Sequence, residues 1–182
     1  MAFPPGREFR IFIINDEVVG ILHRVPANVT GDGVLNIGQL IDRKNEDPLR
    51  GKGYRTPLEK IRKGREEEMF LKQQGMDFNT VPKEGEVVYL RENSNISTGG
   101  DSIDFTDDID DSYKAIAVEA AKALNVKITG LDMMIQDIHA PATPDNYAII
   151  EMNFNPAIHI HCYPFKGKNR HLNHKMIRAL GF

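Results

Sequence analysis

The sequence has one cysteine, Cys162, and no tryptophan among its 182 residues. A single cysteine cannot form an intramolecular disulfide, so the composition favours a reducing compartment. The chain also lacks any apolar run near the roughly 20 residues that a membrane-spanning helix needs. Its first ten residues, MAFPPGREFR, place prolines and charges where a signal peptide would be apolar. We therefore predict a cytoplasmic protein with no membrane partner.

Positive charge is not in excess either. The formal net charge is −3 and the pI is near 6.1, whereas domains that bind nucleic acid are usually basic. We therefore predict no nucleic-acid partner. A chain of this length can bury the core of one domain.

The order of sequence patterns predicts an α+β fold, with a mostly antiparallel sheet covered by helices on one side. Two β-rich segments flank Asn15 and Asp16, which predicts a hairpin. Asn36 is predicted to cap a short helix. The segment DSYKAIAVEAAKAL predicts a longer helix with one apolar stripe. That stripe consists of Tyr113, Ile116, Ala117, Ala120 and Leu124.

Oxygen-bearing side chains line one face of a predicted strand in YAIIEMNFNPAIHIH. Glu151, Asn153 and Asn155 stand at alternate positions, and such positions share a face of a strand. Antiparallel pairing across the loop HAPATPDN would place Asp132 opposite Glu151. Two opposed carboxylates repel each other, and a cation between them would remove the repulsion. Because such oxygens suit a hard ion, we predict a Mg²⁺ site at Asp132, Glu151 and Asn153; the alternative is an exposed hairpin face with solvated acids.

A second candidate site lies in YLRENSNISTGGDSID. Arg91 ends a predicted strand, where its guanidinium could bind a carboxylate or phosphate. Backbone N–H groups of the following loop could form an anion-binding nest, although a glycine pair is also common in plain turns. The residues of this candidate nest are Ser97, Thr98, Gly99 and Gly100. Arg24 is a third candidate, although a surface arginine before a turn would look the same.

The string HIHC raises a zinc hypothesis, because His159 and His161 would share a face of a strand beside Cys162. Structural zinc generally needs four ligands at characteristic spacings, and the sequence has no second pair. A cysteine nucleophile is no better supported, since no motif orients the thiol.

Several longer strings carry a family resemblance. They are HRVPANVTGDG, RTPLEKI, LKQQG, YLRENSNISTGGDSID and NFNPAIHIHCYPFKGKNR. From about Glu8 to its end, the sequence resembles the ATP-grasp module, a glutathione synthetase, of bacterial bifunctional glutamate–cysteine ligase/glutathione synthetases. The match would make residues 1–182 the C-terminal subdomain of an ATP-grasp fold.

The resemblance implies ATP-dependent ligation of γ-glutamylcysteine to glycine through an acyl phosphate. It implies ATP and Mg²⁺ (or Mn²⁺) as cofactors, with the metal on Asp132, Glu151 and Asn153. Arg91 would be catalytic, and Ile150 would line the adenine pocket. The substrate-binding residues would be Arg24, Asn95, Ser97, Thr98, Gly99 and Gly100. A homodimer through the parent protein is also compatible with this family.

Two departures from the family accompany the resemblance. The half of the fold that covers ATP would precede residue 1, so we expect the isolated chain to be inactive. Some related ligases carry an arginine two residues before the metal-binding aspartate, where this sequence has Gly130. The alternatives are a ligase similar to cyanophycin synthetase, and a non-catalytic binding module derived from the ATP-grasp fold.

Overall fold

The computed structural model describes residues 6–182, which form two compact units. Unit 1 combines the chain up to His23 with Ser102–Phe182, and unit 2 is the continuous segment Arg24–Asp101. Each unit has its own buried apolar side chains. The expectation that residues 1–182 form one C-terminal subdomain of an ATP-grasp fold stays a prediction.

Unit 1 is built on five strands, two of which include one or two residues of unit 2. They are β1 (Arg7–Ile14), β2 (Glu17–Val25), β7 (Asp101–Asp104), β8 (Ile128–Ile135) and β9 (Tyr147–Asn153). The sheet order is β7-β2-β1-β8-β9, with antiparallel pairing of β1 to β2, of β1 to β8 and of β8 to β9. Asn15 and Asp16 have φ values of 47° and 66°, which suit the two-residue turn of a hairpin. The predicted hairpin is therefore confirmed.

Side chains of β1 alternate between two cores on opposite faces of the sheet. Ile11 and Ile13 belong to a core with Tyr113, which lies on helix α3 (Asp111–Ala123). Phe12 belongs to another core with Leu172, the first residue of α5 (Leu172–Ala179). Helices therefore cover both faces, and the prediction of one covered face was wrong. The sequence pattern of an isolated helix does not show which face of a sheet it covers.

The apolar stripe of α3 is confirmed except at its end. Tyr113 and Ala117 are fully buried, while Leu124 is 55 % exposed. The helix ends at Ala123, and Leu124 is its C-cap. Ala121 is fully buried instead.

Unit 2 contains three further pairs of elements. They are β3 (Asn28–Thr30) with β6 (Val87–Tyr89), β4 (Arg50–Gly51) with β5 (Leu58–Glu59), and the helices α1 (Ile37–Lys44) and α2 (Arg65–Gln73). Pairing is antiparallel between β3 and β6 and parallel between β4 and β5. Val29, Ile41 and Leu71 lie in the core of this unit. Asn36 caps α1 as predicted: the Gln39 N–H donates to Asn36 Oδ1 at 2.8 Å, and the Asn36 N–H donates to Gln39 Oε1 at 3.0 Å.

No helix within residues 6–182 is both long enough and apolar enough to cross a membrane.

Candidate functional site

Strands β8 and β9 bring the predicted cation ligands of unit 1 together. Asp132 lies directly opposite Glu151, and Asn153 lies opposite Gly130. Asn153 Nδ2 donates to Glu151 Oε1 at 2.9 Å, so these two side chains share one face of the sheet. The predicted strand register is therefore confirmed at this position.

A β-bulge interrupts the same pair of strands beside the two carboxylates. Asp132 pairs with Glu151, but Met133 pairs with Ile149, which leaves Ile150 as the extra residue. Bulges bend a strand and redirect side chains, and they are common next to active sites. Ile150 is 38 % exposed on β9, an edge strand of the sheet. Its predicted contact with adenine stays a prediction.

A guanidinium lies against both carboxylates. Arg10 of β1 is the register partner of Asp132; its Nη2 donates to Asp132 Oδ2 at 2.7 Å, and its Nε donates to Oδ1. The same Nη2 lies 3.9 Å from Glu151 Oε1. Arg10 is 8 % exposed and Asp132 is 1 % exposed. The repulsion between Asp132 and Glu151 is thus offset by a cation of the protein itself, so repulsion alone does not require a metal ion.

Sequence reasoning missed Arg10. The available signal was a charged residue inside the apolar run FRIFII, because an arginine is rarely buried unless it is paired. Gly130 belongs to the same arrangement: a Cβ there would lie 2.9 Å from Arg10 Cδ and 2.9 Å from Pro156 Cβ. The space above position 130 is therefore filled by an arginine that comes from β1.

The donor set fits a hard cation in its chemistry. Asp132 and Glu151 supply carboxylate oxygens, which Mg²⁺ prefers, and each such oxygen has lone pairs beyond the one that accepts from Arg10 or Asn153. Glu151 keeps 56 % of its side chain exposed. Between Gly6 and Phe182, no group of three or more His, Cys, Asp or Glu side chains could hold a metal. Asn153 is the further protein oxygen that the sequence predicts beside these two carboxylates, and its role as a metal ligand stays a prediction.

Arg91, in unit 2, is held by the start of α2. Its Nε donates to Glu67 Oε1 at 2.6 Å, and its Nη1 donates to Glu66. Glu67 is 1 % exposed, and its Oε2 accepts from the Gly64 N–H at 2.9 Å. Burial, and then the charge of Arg62, lowers the pKa of Arg91, although an arginine stays protonated at any physiological pH. The catalytic role of Arg91 stays a prediction.

The loop of residues 93–100, which we call the substrate loop after its predicted and untested role, contains a 3₁₀ turn over Ile96–Thr98. The N–H groups of Thr98 and Gly100 donate to Asn95 O, and the Gly99 N–H donates to Ile96 O. The predicted anion-binding nest is therefore wrong at these three positions, because their donors are used within the turn. That the residues of this loop bind substrate stays a prediction.

Close approach of the backbone explains the two glycines of the substrate loop. A Cβ at Gly99, where φ is 95°, would lie 2.8 Å from Ile61 Cα. A Cβ at Gly100 would lie 2.8 Å from the Val25 carbonyl oxygen. Arg24, also predicted to bind substrate, is half-buried near the end of β2, and its role stays a prediction.

The HIHC string forms helix α4 (His159–Cys162), a single turn, rather than a strand. The N–H groups of His161 and Cys162 both donate to the Ile158 carbonyl. His161 is fully buried, and its ring meets Phe12 edge-on at a centroid distance of 5.3 Å. The shared strand face behind the zinc hypothesis is therefore absent.

A solved structure shares this fold. The crystal structure of a bifunctional glutathione synthetase from Pasteurella multocida matches with a TM-score of 0.88 and 46 % sequence identity, over 98 % of this chain and 25 % of that chain. The α+β class, with its mostly antiparallel sheet and helices, is confirmed. The fold is therefore that of one segment of a glutathione synthetase.

Proteins that are similar in sequence are also named for glutathione biosynthesis. The glutathione biosynthesis bifunctional protein of Desulfotalea psychrophila is 66 % identical over 180 residues, which are 99 % of this chain and 23 % of that protein. The protein of the same name from Clostridium perfringens is 60 % identical over 178 residues, or 98 % of this chain and 23 % of that protein. No protein-family model matches the chain. The chain is related to one segment, about a quarter, of the glutathione biosynthesis bifunctional proteins, as its motifs predicted.

Proposed function

We propose that this chain supplies the cation-binding and substrate-binding part of an ATP-grasp glutathione synthetase, which joins γ-glutamylcysteine to glycine at the expense of ATP. The observation that carries the proposal is Asp132 directly opposite Glu151, with Arg10 against both carboxylates. The similarity to proteins named for glutathione biosynthesis supports the choice of substrates.

The chemistry of the proposed reaction has two steps. The terminal carboxylate of γ-glutamylcysteine attacks the γ-phosphorus of ATP, which forms an acyl phosphate and releases ADP. The amine of glycine then attacks the acyl carbon, the carbon–oxygen bond to phosphate breaks, and the amine loses a proton. Phosphoryl transfer depends mainly on positioning and on offsetting negative charge.

Arg10 is proposed to hold Asp132 in place opposite Glu151, since both Arg10 and Asp132 are buried and paired with each other. Arg91 is proposed to stabilise the acyl phosphate or the oxyanion formed when glycine attacks. Asp132, Glu151 and Asn153 would hold Mg²⁺ (or Mn²⁺), which would offset charge on the ATP phosphates.

The exposed apolar surface of β9 fits a nucleotide base. Ile149 and Ile150 are 40 % and 38 % exposed beside Glu151. We propose that Ile150 lines the adenine pocket next to the metal ligands, in a cytoplasmic enzyme that has neither a membrane nor a nucleic-acid partner. Dimerisation would then be a property of the longer protein.

The alternatives make different predictions. An enzyme similar to cyanophycin synthetase would use other substrates, and the names of the relatives favour glutathione biosynthesis over it. A non-catalytic binding module would have no need for opposed acids at Asp132 and Glu151.

The test uses a carrier protein, defined as the Desulfotalea psychrophila bifunctional protein in which this chain replaces its matching quarter. We expect the carrier to form glutathione from γ-glutamylcysteine, glycine and ATP, detected by mass spectrometry together with phosphate release. Glu151→Gln should lower this turnover at least about 100-fold, because an amide carries no charge to bind the cation. The same variant should bind Mn²⁺ more weakly, as measured by electron paramagnetic resonance.

The matched control is Glu119→Gln, since Glu119 is exposed on α3. It should change neither turnover nor Mn²⁺ binding. A carrier that makes no glutathione would contradict the proposed function. A fully active Glu151→Gln carrier would contradict only the proposed role of Glu151 as a metal ligand.

A further inference from the structure

A buried group of charges lies beneath the substrate loop in unit 2. Asp101, which directly follows the loop, is 4 % exposed, and Arg50 of β4 is also 4 % exposed. Arg50 Nη2 donates to Asp101 Oδ1, and Lys44 Nζ donates to Asp101 Oδ2 at 2.7 Å. Asn28 Nδ2 donates to the same Oδ2 at 3.0 Å. We call these four residues the Asp101 cluster.

Two cations share one carboxylate in this cluster, at some electrostatic cost. Burial lowers the pKa of Lys44 and of Arg50, while the charge of Asp101 opposes the shift in both. A buried ion pair is seldom the cheapest way to stabilise a core, since apolar residues of similar size often do as well. The charged side chains would be explained if they hold the neighbouring backbone in one fixed arrangement.

Arg50 connects the cluster to the substrate loop itself. Its Nη1 donates to the Gly99 carbonyl at 3.0 Å and to the Glu59 carbonyl at 2.9 Å. Arg50 of β4 therefore links the loop at Gly99 to β5 at Glu59 through charged hydrogen bonds, and Gly99 packs closely on Ile61.

The loop has buried residues near both ends: Ser94 is 8 % exposed, and the hydrogen bond from Arg50 holds the Gly99 end. Gly99 and Gly100 are buried, whereas Asn93 and Asn95 are exposed and Thr98 is half-buried. A loop that is fixed at its base presents its tip in one orientation, which lowers the entropy lost when a ligand binds there.

We propose that Arg50, Asp101 and Lys44 are positioning residues that fix the substrate loop for binding of the peptide substrate. This inference rests on the proposed function, because it takes the loop as the site for γ-glutamylcysteine. Arg50 has the central position, since one guanidinium reaches Asp101, Gly99 and Glu59 together. A lysine carries its three donors on one nitrogen, so it cannot reproduce a fork in which Nη1 reaches the two carbonyls and Nη2 reaches Asp101.

The first experiment measures steady-state kinetics of Arg50→Lys in the carrier protein. We expect the KM for γ-glutamylcysteine to rise about tenfold, with the KM for ATP within about twofold and kcat within about threefold. The matched control is Arg43→Lys, the same exchange on exposed Arg43 of α1, which pairs with Asp32. It should leave all three constants unchanged.

The second experiment does not depend on activity. Hydrogen exchange followed by mass spectrometry should show faster exchange of the Thr98, Gly99 and Gly100 amides in Arg50→Lys than in Arg43→Lys. Gly99→Ala, which disturbs the loop from its Ile61 side, should give the same exchange and the same KM change. It tests the proposal should Arg50→Lys not fold.

The outcomes separate the two proposals. If the amide hydrogen exchange of the substrate loop is unchanged in both Arg50→Lys and Gly99→Ala, the positioning role is overturned, whatever the activity. A fall in kcat with equal rises in both KM values and a lowered Tm would also overturn it. That result would describe a cluster that only stabilises the fold. A carrier without glutathione synthesis but with faster loop exchange in the variants would contradict the proposed function and leave the anchoring of the loop supported.

Discussion

His23 has an imidazole that the surrounding residues keep neutral. Its ring centroid lies 5.1 Å from that of Phe9 and 6.1 Å from that of Phe105, and the carbonyl oxygen of Glu8 lies 3.0 Å from Nδ1. Burial, and then the charge of Arg7, lowers the pKa of His23 to about 4. An unfolded chain would bind a proton at this residue near pH 6.5.

The stability of unit 1 should therefore depend on pH through His23. Between pH 6.5 and about 4 the unfolded state binds a proton that the folded state does not, so the free energy of unfolding falls as the pH is lowered through this range. With allowance for the part of the ring that is open to solvent, the loss should be on the order of 2 kcal/mol. His23→Gln should remove this contribution, measured as the difference between urea denaturation curves at pH 7 and pH 4.5.

Carboxylates also titrate in this range, so the variant is compared with the unaltered chain at each pH. The control is His139→Gln, because His139 is exposed. An identical pH dependence for His23→Gln and the unaltered chain would show that the imidazole is not protected.

At this scale the sequence predicted the residues that lie two apart or directly across a hairpin. Asp132, Glu151 and Asn153 followed from alternation and from a constant pairing sum. Arg10 did not, because its partner Asp132 is 122 residues away along the chain. The close packing of Gly99 and Gly100 did not follow from the sequence either, because their neighbours Ile61 and Val25 are distant along the chain.

Elements were predicted well where their signals are local. The turn at Asn15–Asp16 and the cap at Asn36 each need only a few adjacent residues, and both are confirmed. The segment HIHC was assigned to a strand because alternation in four residues cannot distinguish a strand from one helical turn. The bulge at Ile150 is also invisible in sequence, since it depends on the pairing of β8 with β9.

The cap of α1 should contribute measurably to stability. Asn36→Ala removes the acceptor for the Gln39 N–H and should lower the free energy of unfolding by about 1 kcal/mol. Urea denaturation followed by circular dichroism is the measurement. Gln39→Ala, which removes only the reciprocal bond to the Asn36 N–H, should cost less. Equal losses in the two variants would mean that the asparagine cap is not the dominant contact.

For the whole molecule, the length of the chain sets the expectation for activity. The chain spans about a quarter of the length of its relatives. In the ATP-dependent ligation proposed above, closure of the protein over the nucleotide would exclude water and contribute strongly to the rate. We therefore expect the isolated chain to bind Mg-ATP only in the millimolar range, or about −4 kcal/mol. It should form no glutathione.

Isothermal titration calorimetry and product analysis of the isolated chain test this expectation, with the carrier protein as the positive control. Micromolar binding of Mg-ATP, or turnover by the isolated chain, would show that these residues suffice for the reaction.

The separation of 122 residues between Arg10 and Asp132 means that β1 is synthesised well before its partner β8. A ribosome adds about 5–20 residues per second, so β8 follows β1 after about 6–25 seconds. All of Arg24–Asp101 is made in that interval and can collapse on its own apolar side chains. Meanwhile one edge of β1, with its apolar side chains, has no neighbouring strand, and an open apolar edge readily pairs with other chains. The nascent chain is therefore most prone to aggregation before β8 leaves the ribosome, and a chaperone that binds extended apolar segments should act there.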